Sequence, residues 1–139
     1  MPRGANSLVE LCRMHGVVAC YAFGSREHDA LALLEGGAVA GGGSDLDIGV
    51  VFADEQFSTG TLPLLQIALE DLFAPLRVDL VPLDRVDPLF QFSGISGTRL
   101  AAPAAASADR FELTVMRRAA ELLPVQRRLE IESFGATSQ

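Results

Sequence analysis

Two short stretches, Val17–Phe23 and Leu46–Phe52, are almost unbroken in apolar side chains, and they constrain the fold more than anything else in the chain. A strand with one wet face alternates apolar and polar residues, whereas an unbroken run marks a buried strand. Where each run meets polar residues is equally informative. The first stops at Gly24-Ser25, small residues that let backbone amides approach an anion closely. The second opens on Asp45-Leu46-Asp47, and the side-chain period of two sends both carboxylates to the same side. Two acids in one space repel unless a cation sits between them, and a hard divalent ion such as Mg²⁺ takes such oxygen ligands together with substrate phosphates. A third β-branched run, 77–82, carries Asp79 near its start and is expected to pair with the strand bearing Asp47. Three carboxylates then converge opposite the Gly-Ser turn. The bland alternative is that Arg77 neutralises Asp79.

The remaining pattern is mostly helical. Ser7-Leu8-Val9-Glu10 has the form of a capping box and predicts a first helix over about 7–15, with His15 as a helix-end residue. Residues 26–34 read as a short helix whose amino end faces the turn, and 36–43 as a glycine-rich loop, either a surface insertion or a lid. Asp54 and Glu55 read as solvated loop charges. Leu62, Leu65, Leu69, Leu72 and Phe73 form a stripe between Thr61 and Pro75, with Glu70 and Asp71 facing out. Residues 84–92 suggest a short helix and 98–101 an edge strand. Asp109-Arg110-Phe111-Glu112 reads as a capping box opening an amphipathic helix that Pro124 should kink or end. No repeat or second domain is visible: residues 1–139 read as one domain, with a motif-bearing core over 7–100 and a helical segment over 107–133.

Several functions are excluded by what the chain lacks. The loop over 36–43 has no Gly-Lys-Ser/Thr ending and leads into a strand, so neither a P-loop nor a Rossmann fingerprint is present. Ser25, His28 and Asp29 invite comparison with a hydrolase triad, but the nucleophile-elbow pattern is missing. Cys12 and Cys20 lack redox or zinc spacing and read as buried thiols. The net charge is −7 and all eleven basic residues are arginine, spread along the chain. That balance provides no extended face for gripping long nucleic acid, which needs concentrated basic charge, and it suits a basic partner protein. No apolar run approaches the roughly 20 residues of a membrane span, and no secretory core follows the amino terminus; the expected location is cytoplasmic.

Phe23-Gly24-Ser25-Arg26, Ser44-Asp45-Leu46-Asp47, Val78-Asp79-Leu80 and the continuation Leu83 to Leu89 arrive in an order that resembles the polymerase-beta-like nucleotidyltransferase superfamily. Within it the chain is most similar to the minimal nucleotidyltransferases, small proteins often paired as antitoxins with a helical HEPN-domain toxin. The likeness runs from the first helix to about Leu100; the stretch 27–43 is longer than the usual spacer. The resemblance implies an α/β (α+β) fold with a small mixed sheet flanked by helices. It implies transfer of a nucleoside monophosphate, with ATP as donor, to a hydroxyl of an acceptor, a HEPN toxin, so that adenylylation silences it. Asp45, Asp47 and Asp79 become the catalytic and metal-binding residues for two Mg²⁺ ions. Gly24, Ser25, Arg26 and Ser44 become the nucleotide-contacting residues. Homo- or hetero-oligomers are compatible with this.

Three other readings stay open. A small-molecule nucleotidyltransferase, acting on an amino-sugar, would use the same site with acids around its acceptor pocket. A binding-only antitoxin would neutralise its partner by contact. A structural protein would carry the Asp-x-Asp by chance.

Overall fold

A computed structural model describes residues 3–53 and 58–137. Helix α1 (Arg3–Met14) leads into strand β1 (Val17–Phe23), short helix α2 (Glu27–Leu34) and strand β2 (Leu46–Phe52). Helix α3 (Thr61–Leu72), strand β3 (Val78–Pro82) and a 3-10 turn (Leu83–Arg85) follow, then helix α4 (Pro88–Ile95), edge strand β4 (Thr98–Ala101) and the long helix α5 (Ala105–Thr137). The sheet order is β3-β2-β1-β4. β1 runs antiparallel to β2 and to β4, whereas β2 and β3 are parallel, so the sheet is mixed, as expected. The parallel pair follows from α3, which carries the chain back across the sheet between β2 and β3.

Both faces of the sheet are covered, which explains why β1 and β2 are apolar without alternation. On one face Ala22, Ile48 and Val50 pack with Leu8 and Cys12 of α1, Ala30 of α2 and Leu65 and Leu69 of α3. On the other, Ala19, Tyr21 and Val51 pack with Leu83 and with Ala108 of α5. Leu83 lies between Gly49 of β2 and Gly94 of α4. A Cβ at Gly49 would come within 2.6 Å of it and one at Gly94 within 2.7 Å, so both positions must be bare for that side chain to fit.

Three helix starts differ from the sequence expectation. α1 begins at Arg3, ahead of the Ser7 box, because its first turn rests on the end of α2; a Cβ at Gly4 would meet the Leu34 carbonyl oxygen at 2.7 Å. The helix expected over 84–92 is divided. Asp87 caps α4 through its carboxylate, which accepts from the Leu89 and Phe90 amides at 3.1 and 3.0 Å, and Pro88 takes the first helical position, where its missing N–H costs nothing. α5 starts at Ala105, so Asp109 and Glu112 are not a capping pair. They face Arg99 of β4, at 2.7 and 3.0 Å, and Glu112 also accepts the Tyr21 hydroxyl at 2.6 Å. Nor does Pro124 end the helix, which runs through it to Thr137. Ala120, whose carbonyl the proline leaves without a donor, is exposed, so solvent can satisfy it. Asp54 and Glu55 lie outside the described residues.

Candidate active site

The strand register gathers the acids. Phe23 stands opposite Asp47 in the β1–β2 pair, and Asp47 stands opposite Asp79 in the β2–β3 pair. Adjacent partners in a sheet share a face, so Phe23, Asp47 and Asp79 form one row across three strands. The row falls at the end of the sheet where the chain leaves β1 and enters β2 and β3. Asp45, two residues before Asp47, lies just beyond the strand and is exposed, as is Asp79, while Asp47 is half-buried. Burial pushes the Asp47 carboxyl above its ordinary value, and the Asp79 charge, a hydrogen bond with Asp79 and the Asp45 charge push the same way. No ion pair joins Arg77 to Asp79 among the described residues. The Arg77 backbone carbonyl instead accepts from Leu46 N at 2.8 Å, fixing the start of the parallel pair.

Gly24 closes over this row. Its φ of 77° lies in the left-handed region, and a Cβ there would stand 2.3 Å from Asp47 Oδ2. Both facts demand glycine: the backbone at the turn lies directly against the carboxylate, leaving no room for a side chain. Ser25 Oγ and Ser44 Oγ are 2.9 Å apart, so the residue after the turn meets the residue before Asp45. The guanidinium of Arg26, which the resemblance makes a nucleotide contact, is turned into the glycine-rich loop in this structure. Nε donates to Asp29 Oδ2 at 2.6 Å, Nη1 to the carbonyls of Gly42 and Ser44 at 2.7 and 3.2 Å, and Nη2 to that of Ala40 at 2.7 Å.

The hydrolase arrangement has no support in this geometry, since Ser25 pairs with Ser44 and Asp29 with Arg26. His15 Nδ1 lies 2.9 Å from the Leu11 carbonyl, a helix-end contact, and both cysteines are buried. One residue near the row was not singled out from the sequence. Phe90 of α4 meets Phe23 edge to face, with ring centroids 6.1 Å apart and planes at 88°, and it remains 41% exposed. It walls the acid row on the β4 side. A phenylalanine in a short apolar helix carries no signal for this, because the contact depends on how α4 folds back over β1.

Among the described residues, no group of three or more His, Cys, Asp or Glu side chains stands as a ready-made metal cage. The donor set nevertheless fits Mg²⁺, which is held by one or two carboxylates and completed by water and substrate phosphates. The charges of Asp79 and Asp45 both crowd the Asp47 carboxyl, a repulsion that a hard cation relieves.

No family model matches the chain, and no curated protein matches it. Solved structures do. One chain of a toxin–antitoxin crystal structure with AMP-PNP is 20% identical, with TM-score 0.64 over 93% of this chain and 96% of that one. One chain of the tri-AMPylated Shewanella oneidensis HEPN toxin in complex with MNT antitoxin is 19% identical, with TM-score 0.62 over 94% of each. A candidate minimal nucleotidyltransferase is 26% identical, with TM-score 0.51 over 68% of this chain and 85% of that one. The fold is therefore the nucleotidyltransferase fold, and the resemblance to the minimal nucleotidyltransferases carried by the motifs extends to the whole architecture. Among the described residues no helix is long and apolar enough to cross a membrane.

Proposed function

We propose that the chain transfers AMP from ATP to a hydroxyl of a partner HEPN toxin and thereby acts as its antitoxin. The observation that carries this reading is the row across the sheet: Asp47 faces Asp79 on the parallel pair, under a turn whose glycine touches the Asp47 carboxylate. The Gly24 and Ser25 amides would hold the outer phosphates of a nucleotide opposite these acids. Ser25 and Ser44 offer hydroxyls to the outer phosphates. Asp45 and Asp47 would hold the metal that accompanies the nucleotide and would share a second with Asp79. When bound, Mg²⁺ neutralises phosphate charge and acidifies the attacking hydroxyl.

The acceptor oxygen attacks the α-phosphorus in line, the bond to the bridging oxygen of the β-phosphate breaks, and pyrophosphate leaves. Asp79, the more exposed of the paired acids, takes the hydroxyl proton. The partner half of the proposal is supported by an apolar stripe on α5. Leu113, Met116, Leu123 and Ile131 recur at helical spacing and are 60%, 44%, 43% and 65% exposed.

The test is incubation with labelled ATP, Mg²⁺ and the product of the neighbouring gene. Label on that partner, lost with Asp45→Asn and with Asp79→Asn, is the expected result. Tight complex formation with no transfer, unchanged by those substitutions, would instead establish a binding-only antitoxin. Label on an amino-sugar and none on protein would point to the small-molecule enzyme.

A further inference from the structure

We infer that Arg26 is the positioning residue of the nucleotide site, acting on the nucleotide through the glycine-rich loop and not through the phosphates. The inference rests on the reading above for its nucleotide, but the clamp itself is visible without one. Between Leu34 and Leu46 the described chain has no helix or strand. Gly42 and Gly43 both carry positive φ, 80° and 75°, and ordering glycine costs more conformational entropy than ordering any other residue, so this conformation persists only where contacts hold it. Arg26 is what holds it. Four of its five N–H donors are engaged, three on carbonyls 14, 16 and 18 residues ahead in the chain and one on Asp29, and its side chain is only 13% exposed.

The carbonyls of Ala40, Gly42 and Ser44 alternate along the loop, so a single planar fork collects three of them. With Ser44 fixed, its hydroxyl reaches Ser25 at 2.9 Å and Asp45 enters the site one residue later. Arg26 itself follows Ser25 directly. The clamp therefore joins the two motif segments, turn and acid pair, across a spacer whose length would otherwise leave them loosely related. A lysine cannot substitute, because one ammonium on a flexible stem cannot reproduce the fork.

The experiment compares the full chain with its Arg26→Gln and Arg26→Lys variants by amide hydrogen exchange and by calorimetric binding of Mg-ATP across a salt series. Exchange over 37–45 is expected to accelerate at least tenfold in both variants while β1 and β2 keep their protection. Affinity for Mg-ATP is expected to fall about tenfold in both, as misplacement of binding groups does, with the salt dependence parallel to that of the unmodified chain. Unchanged exchange over 37–45 would overturn the clamp. So would a flattened salt dependence in Arg26→Gln that Arg26→Lys restores, because that is the signature of a charge lying directly on phosphate. If the unmodified chain binds no Mg-ATP, the proposed function fails, and the exchange data still decide the clamp.

Discussion

At the scale of single residues, the site is held in tension. Asp47 sits half-buried between two other carboxylates, and its pKa is raised chiefly by burial and then by Asp79. A carboxyl raised on folding contributes stability that is present at low pH and lost as pH rises through the folded value, so at neutral pH the ionised group works against the fold. Asp47→Asn is therefore expected to abolish transfer and yet raise the Tm of the metal-free protein at pH 7 by about 1–3 °C. The gain should shrink towards pH 4; a variant that melts lower than the parent at pH 7 would contradict this. Gly24 shows the opposite case, in which geometry leaves no choice. Gly24→Ala puts a Cβ on the Asp47 carboxylate and imposes a left-handed φ on an L-residue, at a cost of about 1–2 kcal/mol for the backbone alone. Denaturant melts should register the loss, and nucleotide binding should fall with it. The acids and the turn were legible in the sequence because their signals are local: a period of two fixes Asp45 and Asp47 on one side, and two small residues mark a close approach. The commitment of Arg26 was not legible, because its partners are carbonyls, which any residue supplies.

At the scale of elements, packing decided what local pattern could not. β1 and β2 were readable from apolar runs, since a short buried strand has little freedom to begin elsewhere, and β3 from its β-branched run. Helix starts were less readable. Ser7 and Asp109 both open capping-box patterns, but tertiary contacts start α1 and α5 earlier, and the Asp109 box instead supplies carboxylates to Arg99. Tyr21, buried in β1, donates to Glu112, and burial together with that carboxylate pushes its phenol above the ordinary value. A phenol raised on folding stabilises below the unfolded value of about 10 and loses its contribution as pH climbs beyond it. Tyr21→Phe is expected to cost about 1.5–3 kcal/mol at pH 7, the range for a hydrogen bond to a charged group, and to flatten the alkaline limb of the stability profile. A parallel alkaline limb in the variant would mean that Glu112 acts on the fold through Arg99 and not through Tyr21. Leu83 tests the same face by a different force. Wedged between Gly49 and Gly94 and fully buried, it should cost about 2–5 kcal/mol as Leu83→Ala, measured by chemical unfolding.

At the scale of the whole molecule, α5 is the element the sheet cannot account for. Its buried positions, Ala108, Val115 and Ala119, follow one side of the helix and end there, while its 33 residues extend about 50 Å at the usual rise per residue. The exposed stripe from Leu113 to Ile131 is offset from that buried side by roughly a third of a turn, so no rotation of the helix about its axis can bury both against the sheet. Sequence periodicity shows an amphipathic helix but not which apolar residues the domain itself covers: Met116 and Leu123 are as apolar as Val115 and Ala119, and only the docked position of α5 separates them. If the stripe receives the partner, charges there should undo the complex without disturbing the proposed active site, which lies at the strand ends. Leu113→Glu with Leu123→Glu is expected to weaken the complex with the neighbouring gene's product by about tenfold or more, as loss of central apolar contacts does. Mg-ATP affinity and Tm should stay at their parental values, so that AMP transfer falls through loss of the acceptor alone. Raising the partner concentration should then recover transfer at an unchanged maximal rate. If transfer stays low at saturating partner, the stripe orients the acceptor hydroxyl towards Asp79 as well as binding the protein that bears it; if affinity does not change at all, the partner is held by another surface.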